Sequence, residues 1–236
     1  MTLDRPAVST LHDALVDRLG SAIVDGELGA GSRLITAELS PGSSRGAGRE
    51  AVRVLQSLGL VRVRRKTGVE VLPSTQWNVY APEIIAWRLA GPGRHAQLRE
   101  LSELRGAIEP LAARAAATHA TDAQRQVLVA AVMEMARTEH DADGAEYLAA
   151  DIRFHRTVLA ASGNTMFAAL GAVVESVLVG RTRHELMPHD ANPHAVRWHQ
   201  DVAFAVAAGR ADDAVQAMHL IVREAGDAMA SAVSSE

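Results

Sequence analysis

Asp151 and His155 have a spacing that suits the binding of a metal ion. They lie four residues apart in a stretch with helical periodicity. A carboxylate oxygen and an imidazole nitrogen would therefore face the same way from one helix, at a separation that a single cation can bridge. Such a pair also arises by chance. The spacing indicates that these two residues could supply two ligands of a divalent cation. It predicts that the other ligands come from elsewhere in the chain.

Arg105 is the candidate for binding an anionic ligand. It lies among the apolar residues Leu101, Leu104 and Ile108 of another helical stretch. The planar guanidinium binds a carboxylate through two parallel hydrogen bonds, which suits a small acidic metabolite. Glu109, four residues further on, leaves open the alternative of an ion pair within the helix.

A concentration of arginine near the N-terminus predicts a polyanionic partner. Residues 43–66 contain six Arg and one Lys against one Glu, which gives +6 in a chain whose net charge is -4. Arg45, Arg49 and Arg53 repeat every four residues and so line one face of a helix, the geometry needed in the DNA major groove. An ordinary solvated helix face is the alternative interpretation.

The first 75 residues have the pattern of three helices followed by a hairpin. Apolar residues repeat every four positions over residues 11–23, residues 34–39 predict a short second helix, and residues 44–57 predict a third. Residues 59–71 alternate apolar and polar side chains around a basic tip, as in a β-hairpin. This order predicts a winged helix-turn-helix in residues 1–74.

The remaining chain is predicted to be entirely helical. Residues 97–236 form successive amphipathic stretches with no strand-like alternation, interrupted by turn residues at 162–164, 188–193 and 209. One of these stretches covers residues 164–183 without a break. We therefore predict a mostly α protein, in which residues 75–96 are a linker to an all-α bundle of six to seven helices.

The composition excludes several classes of protein. The chain of 236 residues is 48% hydrophobic and 22% charged, as in soluble globular proteins. The absence of Cys excludes a disulfide framework, a thiolate zinc site and a cysteine nucleophile. Charged residues throughout the first 25 positions argue against a signal peptide or a membrane span. We expect a cytoplasmic protein with no membrane partner.

Residues 44–61 resemble the recognition helix of GntR-type bacterial repressors. Their sequence is SRGAGREAVRVLQSLGLV, and the usual pattern is Ser-Arg-x-x-Val-Arg-Glu-Ala-Leu followed by Leu and Gly-Leu-Val. Gly48 departs from the Val or Leu of that pattern. The resemblance implies that this helix contacts DNA and that the wing tip enters the minor groove. The expected DNA-binding residues are Arg33, Thr36, Ser44, Arg45, Arg49, Arg53, Arg65, Lys66, Thr67 and Gly68.

Residues 103–109, 151–164, 199–209 and 214–218 resemble the FCD domain, the ligand-binding domain of the FadR subfamily. In that pattern one Asp and three His hold a divalent metal that binds an effector carboxylate. Ile221 occupies the expected position of the last His, and His219 lies about 200° away around the helix. The resemblance implies that Asp151, His155 and His199 bind zinc, nickel or manganese, with Arg105 as the candidate anchor for the effector. Asn164 resembles the Gly-Asn turn of the family, which predicts a helix cap first and an effector-binding residue second. A hydrogen-bonded polar cluster of the same three residues is the alternative.

The resemblance implies a homodimeric transcriptional regulator, which we expect to be a repressor. Its partners would be a palindromic double-stranded DNA operator and a small carboxylate effector. The linker segment 77–87 resembles that of regulators responding to gluconate or galactonate, which favours a sugar acid such as gluconate.

The alternative function is a metal-dependent hydrolase built on Asp151, His155 and His199. A catalytic metal site normally needs a general base, and the sequence places no obvious Glu beside the three residues. A hydrolase would also leave the arginine cluster of residues 43–66 unexplained. We therefore expect that the protein is not an enzyme.

Overall fold

The computed structural model describes residues 11–34, 45–64, 68–184 and 187–233. The chain divides into two compact units, residues 1–94 and 95–236. Helices account for most of the described residues, and the strands are confined to the first unit. The predicted mostly α fold class is confirmed. All of the predicted short helix except Leu34 lies outside the described residues, as do the predicted DNA contacts Thr36, Ser44, Arg65, Lys66 and Thr67.

The N-terminal unit has the elements of a winged helix-turn-helix. Leu15, Leu19 and Ile23 from the predicted apolar repeat are buried, and they share a core with Ala51 and Leu55 of the recognition helix. The elements are α1 (Leu11–Val24), β1 (Arg33–Leu34), α2 (Arg45–Ser57), β2 (Val61–Arg64), β3 (Gly68–Val71), a 3-10 turn (Ser74–Gln76) and α3 (Pro82–Ala90).

The wing is a three-stranded antiparallel sheet with the strand order β1, β3, β2. Leu34, predicted to begin a helix, is instead paired with Val69 of β3 and buried. The physical reason is that β3 would otherwise present a row of unpaired backbone groups at the edge of a two-stranded hairpin, and β1 satisfies them. The hairpin itself, β2 and β3, lies where the alternating pattern predicted it.

Most of the predicted linker, residues 75–96, folds as part of the N-terminal unit. Helix α3 buries Ile84 and Trp87 in the core of that unit. The indole Nε1–H of Trp87 also donates to Asp17 Oδ1 at 3.2 Å. The boundary between the two compact units accordingly falls after Arg94. Apolar side chains drive this docking, since a free linker would leave them exposed to water.

We predict that Gly20→Ala destabilises the N-terminal unit. A Cβ at this position of α1 would overlap the ring of Trp87. Overpacking of this kind costs about 1–3 kcal/mol, so thermal unfolding should begin at a lower temperature. Gly106→Ala is the control, because no atom lies within 4 Å of its added Cβ. That variant should be stabilised by up to about 1 kcal/mol through helix propensity. Equal melting temperatures for the wild type and Gly20→Ala would contradict the packing argument.

The C-terminal unit is a bundle of helices, as predicted. Its core includes Phe154 and Val158 from the central helix, packed with Leu128, Val202 and Met218 from three others. Seven helices are described from the unit boundary onward: α4 (Arg94–His119), α5 (Asp122–Arg137), α6 (Ala145–Ala161), α7 (Thr165–Ala169), α8 (Gly171–Arg183), α9 (Pro193–Ala207) and α10 (Ala211–Val233).

The predicted helix over residues 164–183 is two helices, α7 and α8. The N–H of Leu170 bonds to Phe167 O, three residues back, which interrupts the α-helical ladder between them. By length and composition alone, Thr165–Arg183 could cross a membrane. Val174 and Leu178 of this stretch lie in the bundle core, which accounts for its apolar composition.

Candidate functional site

Asp151, His155 and His199 meet inside the bundle. Helix α6 carries the first two on one face, and α9 brings His199 beside them. Asp151 Oδ1 lies 3.3 Å from His155 Nε2 and 3.4 Å from His199 Nε2. All three side chains are buried, and one ligand atom of each lies within 4.8 Å of the others. The structure therefore brings together the three residues that the sequence predicted as metal ligands.

The second nitrogen of each histidine is held by a hydrogen bond. Nδ1–H of His199 donates to Ala195 O at 2.7 Å, and Nδ1–H of His155 donates to Glu109 Oε2 at 2.6 Å. Because a neutral imidazole has one N–H, these partners assign the lone pair to Nε2 in both rings. Histidine ligands of metals are oriented in this way in proteins.

The contacts between the three residues lack the directionality of hydrogen bonds. Asp151 Oδ1 and His199 Nε2 are buried and have no hydrogen-bond partner among the described residues, although only 3.4 Å separates them. His155 Nε2 accepts a long hydrogen bond of 3.3 Å from Arg105 Nη2. Lone pairs that face each other repel, so the arrangement favours a cation between them.

The charges of the group also favour a bound cation. Burial alone would raise the pKa of Asp151, but its interactions with His155 and His199 hold that pKa well below the usual value. Burial alone would lower the pKa of His155, but Glu109 and Asp151 together outweigh burial and raise it. A proton and a metal ion would compete for the same nitrogen.

Arg105 forms the ion pair that the sequence left open as an alternative. Its Nε lies 2.6 Å from Glu109 Oε1, and both side chains are almost completely buried. Burial alone would raise the pKa of Glu109, but Arg105 and His155 lower it to about 2. Arg105 Nη1 has no hydrogen-bond partner among the described residues. One edge of the guanidinium thus remains available to a ligand.

The expectation that no Glu lies beside the three candidate ligands is wrong, because Glu109 contacts His155. It reaches His155 from α4, 46 positions earlier in the chain, which the sequence could not show. Both of its oxygens are engaged, and with a pKa of about 2 it is a poor proton acceptor at neutral pH. Its geometry fits a residue that orients His155 rather than a general base.

Arg181 is a site residue that the sequence analysis missed. It is 7% exposed at the end of α8, and its Nε has no hydrogen-bond partner among the described residues. Its Nη2 makes a weak contact of 3.5 Å with Met187 Sδ. Burial and then repulsion from Arg105 lower the pKa of Arg181, and the negative charge of Asp151 only partly opposes them. An arginine one turn after Val177 in an apolar helix was the available signal.

The structure also describes Asn164, predicted to bind the effector, and position 221, where the resemblance places a fourth metal ligand. Asn164 is exposed and caps α7, with Oδ1 accepting from Met166 N–H at 2.9 Å. It lies three residues beyond the end of α6, the helix that carries His155. Ile221 is buried as an apolar core residue, and His219 is exposed on another face of α10. Within the described residues, α10 therefore supplies no fourth histidine.

The predicted DNA-binding residues that are described lie on α2 and the sheet. Arg49 and Arg53 are exposed on α2, and Arg53 Nη1 lies 2.7 Å from Glu50 Oε1. Arg45 is the first residue of that helix. Arg33 is exposed on β1, and Gly68 begins β3 with φ +88°. This φ is unfavourable for any residue with a Cβ, which accounts for glycine at the base of the wing tip.

A second group of possible metal ligands lies on the surface of the bundle. Asp141, Asp143 and His189 are exposed, and His189 Nδ1 lies 2.8 Å from Asp143 Oδ1. That hydrogen bond raises the pKa of His189. Water hydrates such exposed groups well, so a metal is not needed to explain their proximity. They provide a natural control for experiments on the buried group.

Comparison with known proteins identifies the family. Residues 100–224 match the FCD domain family. The chain is 31% identical over 209 residues to the galactonate operon transcriptional repressor of Escherichia coli K12, covering 87% of this chain and 90% of that protein. It is 27% identical over 175 residues to the HTH-type transcriptional regulator YieP of the same strain, covering 72% and 76%.

A solved structure supports the fold independently of close sequence similarity. The structure of Lar, which controls the Listeria monocytogenes agr system, superimposes with a TM-score of 0.55 at 18% identity. The match covers 95% of this chain and 98% of Lar. Together with the FCD match and the similarity to a named repressor, it shows that the chain belongs to the GntR family of DNA-binding transcriptional regulators with an FCD domain.

Proposed function

We propose that the protein is a cytoplasmic transcriptional repressor whose affinity for a palindromic operator is controlled by a sugar acid bound inside the FCD bundle. The observation that carries this proposal is Arg181, a buried guanidinium that makes no direct ion pair among the described residues and whose Nε has no hydrogen-bond partner there. An unpaired buried charge is costly, so it indicates that an anion binds beside it. The relative that represses the galactonate operon supports a sugar acid as that anion.

The charges of the site with a metal bound favour an anionic ligand. Glu109 already neutralises Arg105 through a contact of 2.6 Å. The ionised Asp151 likewise offsets Arg181, so the positive charge that an anion would compensate is that of a bound divalent metal. Tyr147, buried on α6 one turn before Asp151, adds a hydroxyl group to the same region. A polyhydroxylated monocarboxylate supplies the matching anion and hydrogen-bonding groups.

We propose that Asp151, His155 and His199 hold a divalent metal, with zinc, nickel and manganese as the candidates. The donor set of one carboxylate and two imidazoles suits all three ions. The orphaned Asp151 Oδ1 and His199 Nε2 support the fit. A bound metal would act as a Lewis acid toward the effector carboxylate. With Ile221 in place of a fourth protein ligand, water and effector would complete the coordination.

Regulation requires that the effector distinguish two arrangements of a homodimer. We propose that two copies of α2 contact half-sites one DNA turn apart, about 34 Å. A sugar acid that binds one arrangement more tightly shifts the dimer toward it, and operator affinity changes by the ratio of the two affinities. The exposed Arg49 and Arg53 are the described recognition-helix residues placed to contact DNA.

The hydrolase alternative receives no support. The relatives identified above are regulators of transcription. Glu109, the carboxylate beside the three candidate ligands, is held by Arg105 and His155. It therefore does not meet the requirement for a free general base.

The proposed function predicts a metal-dependent response to sugar acids. Mass spectrometry of protein purified without a histidine tag should find one divalent metal per chain. Gluconate and galactonate should raise the melting temperature of this protein, and removal of the metal should reduce the shift. His189→Ala is the control and should change neither result, because His189 belongs to the exposed group. A protein with no metal and no shift with any sugar acid would contradict the proposal.

A further inference from the structure

Glu70 lies at the centre of a cationic face of the wing sheet. In the sheet register it is opposite Arg33 of β1 on one side and Arg62 of β2 on the other. Its Oε1 lies 2.8 Å from Arg62 Nη2, and its Oε2 lies 2.6 Å from Arg64 Nε. Arg62 Nε also donates to Oε2 at 3.3 Å. One carboxylate therefore binds two arginines, with Arg62 contacting both oxygens and Arg64 sharing Oε2.

This face of the sheet is directed to solvent. Leu34, Val69 and Val71 occupy the other face and are buried in the core of the N-terminal unit. Arg62 and Arg64 remain 44% and 53% exposed in their side chains, so the ion pairs are accessible to a competing anion. With Arg33 included, three arginines surround one acid, which leaves this face with a charge of +2.

The contacts that Glu70 makes are those that a DNA phosphate would make. A carboxylate and a phosphodiester both present two anionic oxygens to guanidinium groups. Arginines on the wing of a DNA-binding unit are placed where backbone phosphates pass. We propose that Glu70 occupies, in the DNA-free protein, the place of a backbone phosphate between Arg62 and Arg64, and that it thereby lowers the affinity of the protein for duplex DNA.

This competition makes the wing a weaker DNA contact than its arginine content suggests. Binding of a phosphate must first break the contacts to Glu70, and the displaced carboxylate then repels the phosphate. Affinity for any duplex is reduced, because phosphate contacts do not depend on base sequence. A repressor that must leave DNA when its effector binds benefits from this reduction. The inference rests on DNA binding by the N-terminal unit.

The test is the affinity of Glu70→Gln for a labelled duplex of arbitrary sequence, measured by fluorescence anisotropy over a range of salt concentrations. At about 0.1 M salt we expect binding about threefold to tenfold tighter than the wild type, with a steeper dependence on salt. Glu83→Gln is the matched control, since it makes the same charge change at an exposed position of α3. It should change the affinity less than twofold, because long-range charge is screened at this salt concentration.

A second variant tests the mechanism. The double variant Arg62→Gln, Arg64→Gln should bind DNA more weakly than the wild type. The slope of log affinity against log salt concentration should fall by an amount that corresponds to about one to two fewer phosphate contacts. In that background, Glu70→Gln should tighten binding less than it does in the wild type, because only the repulsion by Glu70 and its interaction with Arg33 remain. Melting temperatures establish that each variant is folded.

Three results would overturn the proposal. The first is that Glu70→Gln binds DNA with wild-type affinity. The second is that it binds more weakly, which would show that Glu70 orients the arginines for DNA. The third is that Glu83→Gln increases the affinity as much as Glu70→Gln does. If the wild type binds no duplex at any salt concentration, DNA binding itself is wrong. That result is distinct from a wild type that binds DNA but does not differ from Glu70→Gln.

Discussion

Replacing Asp151 with Asn is expected to lower the affinity for a divalent metal by about 100-fold or more. Asp151 is the one anionic member of the three candidate ligands, and its Oδ1 lies within 3.4 Å of both imidazole Nε2 atoms. Asparagine keeps the shape but removes the charge that attracts the cation. Competition titration with a chromophoric chelator measures the change. Metal content of the purified variant should fall in parallel.

The control for this prediction is the surface group. Asp143→Asn removes a carboxylate from the exposed group of Asp141, Asp143 and His189. It should leave unchanged the number of tightly bound metal ions per chain. If Asp151→Asn retains wild-type affinity while Asp143→Asn loses metal, the metal site is on the surface. The buried residues would then be the hydrogen-bonded polar cluster that the sequence left as the alternative.

Local patterns predicted most of the fold, because helix periodicity and capping residues act over a few positions. The leucine repeat of α1 predicted its buried face, and Thr121 begins α5 with the capping box that its spacing to Gln124 allows. Elements fixed by distant contacts were missed. The strand containing Leu34 exists because β3 needs a partner, and α3 folds onto α1 through Trp87.

The same distinction separates the predicted from the unpredicted parts of the site. Asp151 and His155 share one helix turn, so their spacing was sufficient to predict that they face the same way. The contact between His155 and Glu109 joins two helices, and no local pattern contains it. Arg181 was overlooked because an arginine near a helix end is usually solvated, whereas packing of the bundle buries this one.

Replacing Arg181 with Met is expected to abolish the response to sugar acids and to stabilise the ligand-free protein. The guanidinium is buried and makes no direct ion pair among the described residues, and methionine fills similar space without a charge. Relief of the unpaired charge should raise the free energy of unfolding by about 1–3 kcal/mol. Loss of the anion contact should weaken effector binding by about 30-fold or more. Thermal unfolding with and without gluconate or galactonate measures both effects.

The opposite signs of these two effects distinguish a ligand-binding arginine from a structural one. If Arg181 served only to hold the bundle together, its replacement would lower the melting temperature of the ligand-free protein. Arg183→Met, two residues further along α8 at an exposed position, is the matched control and should alter neither stability nor the ligand-induced shift. A destabilised Arg181→Met protein that still responds to sugar acids would show that the anion binds elsewhere. Arg105 Nη1, the other unpaired guanidinium edge among the described residues of the site, would then become the anchor to test.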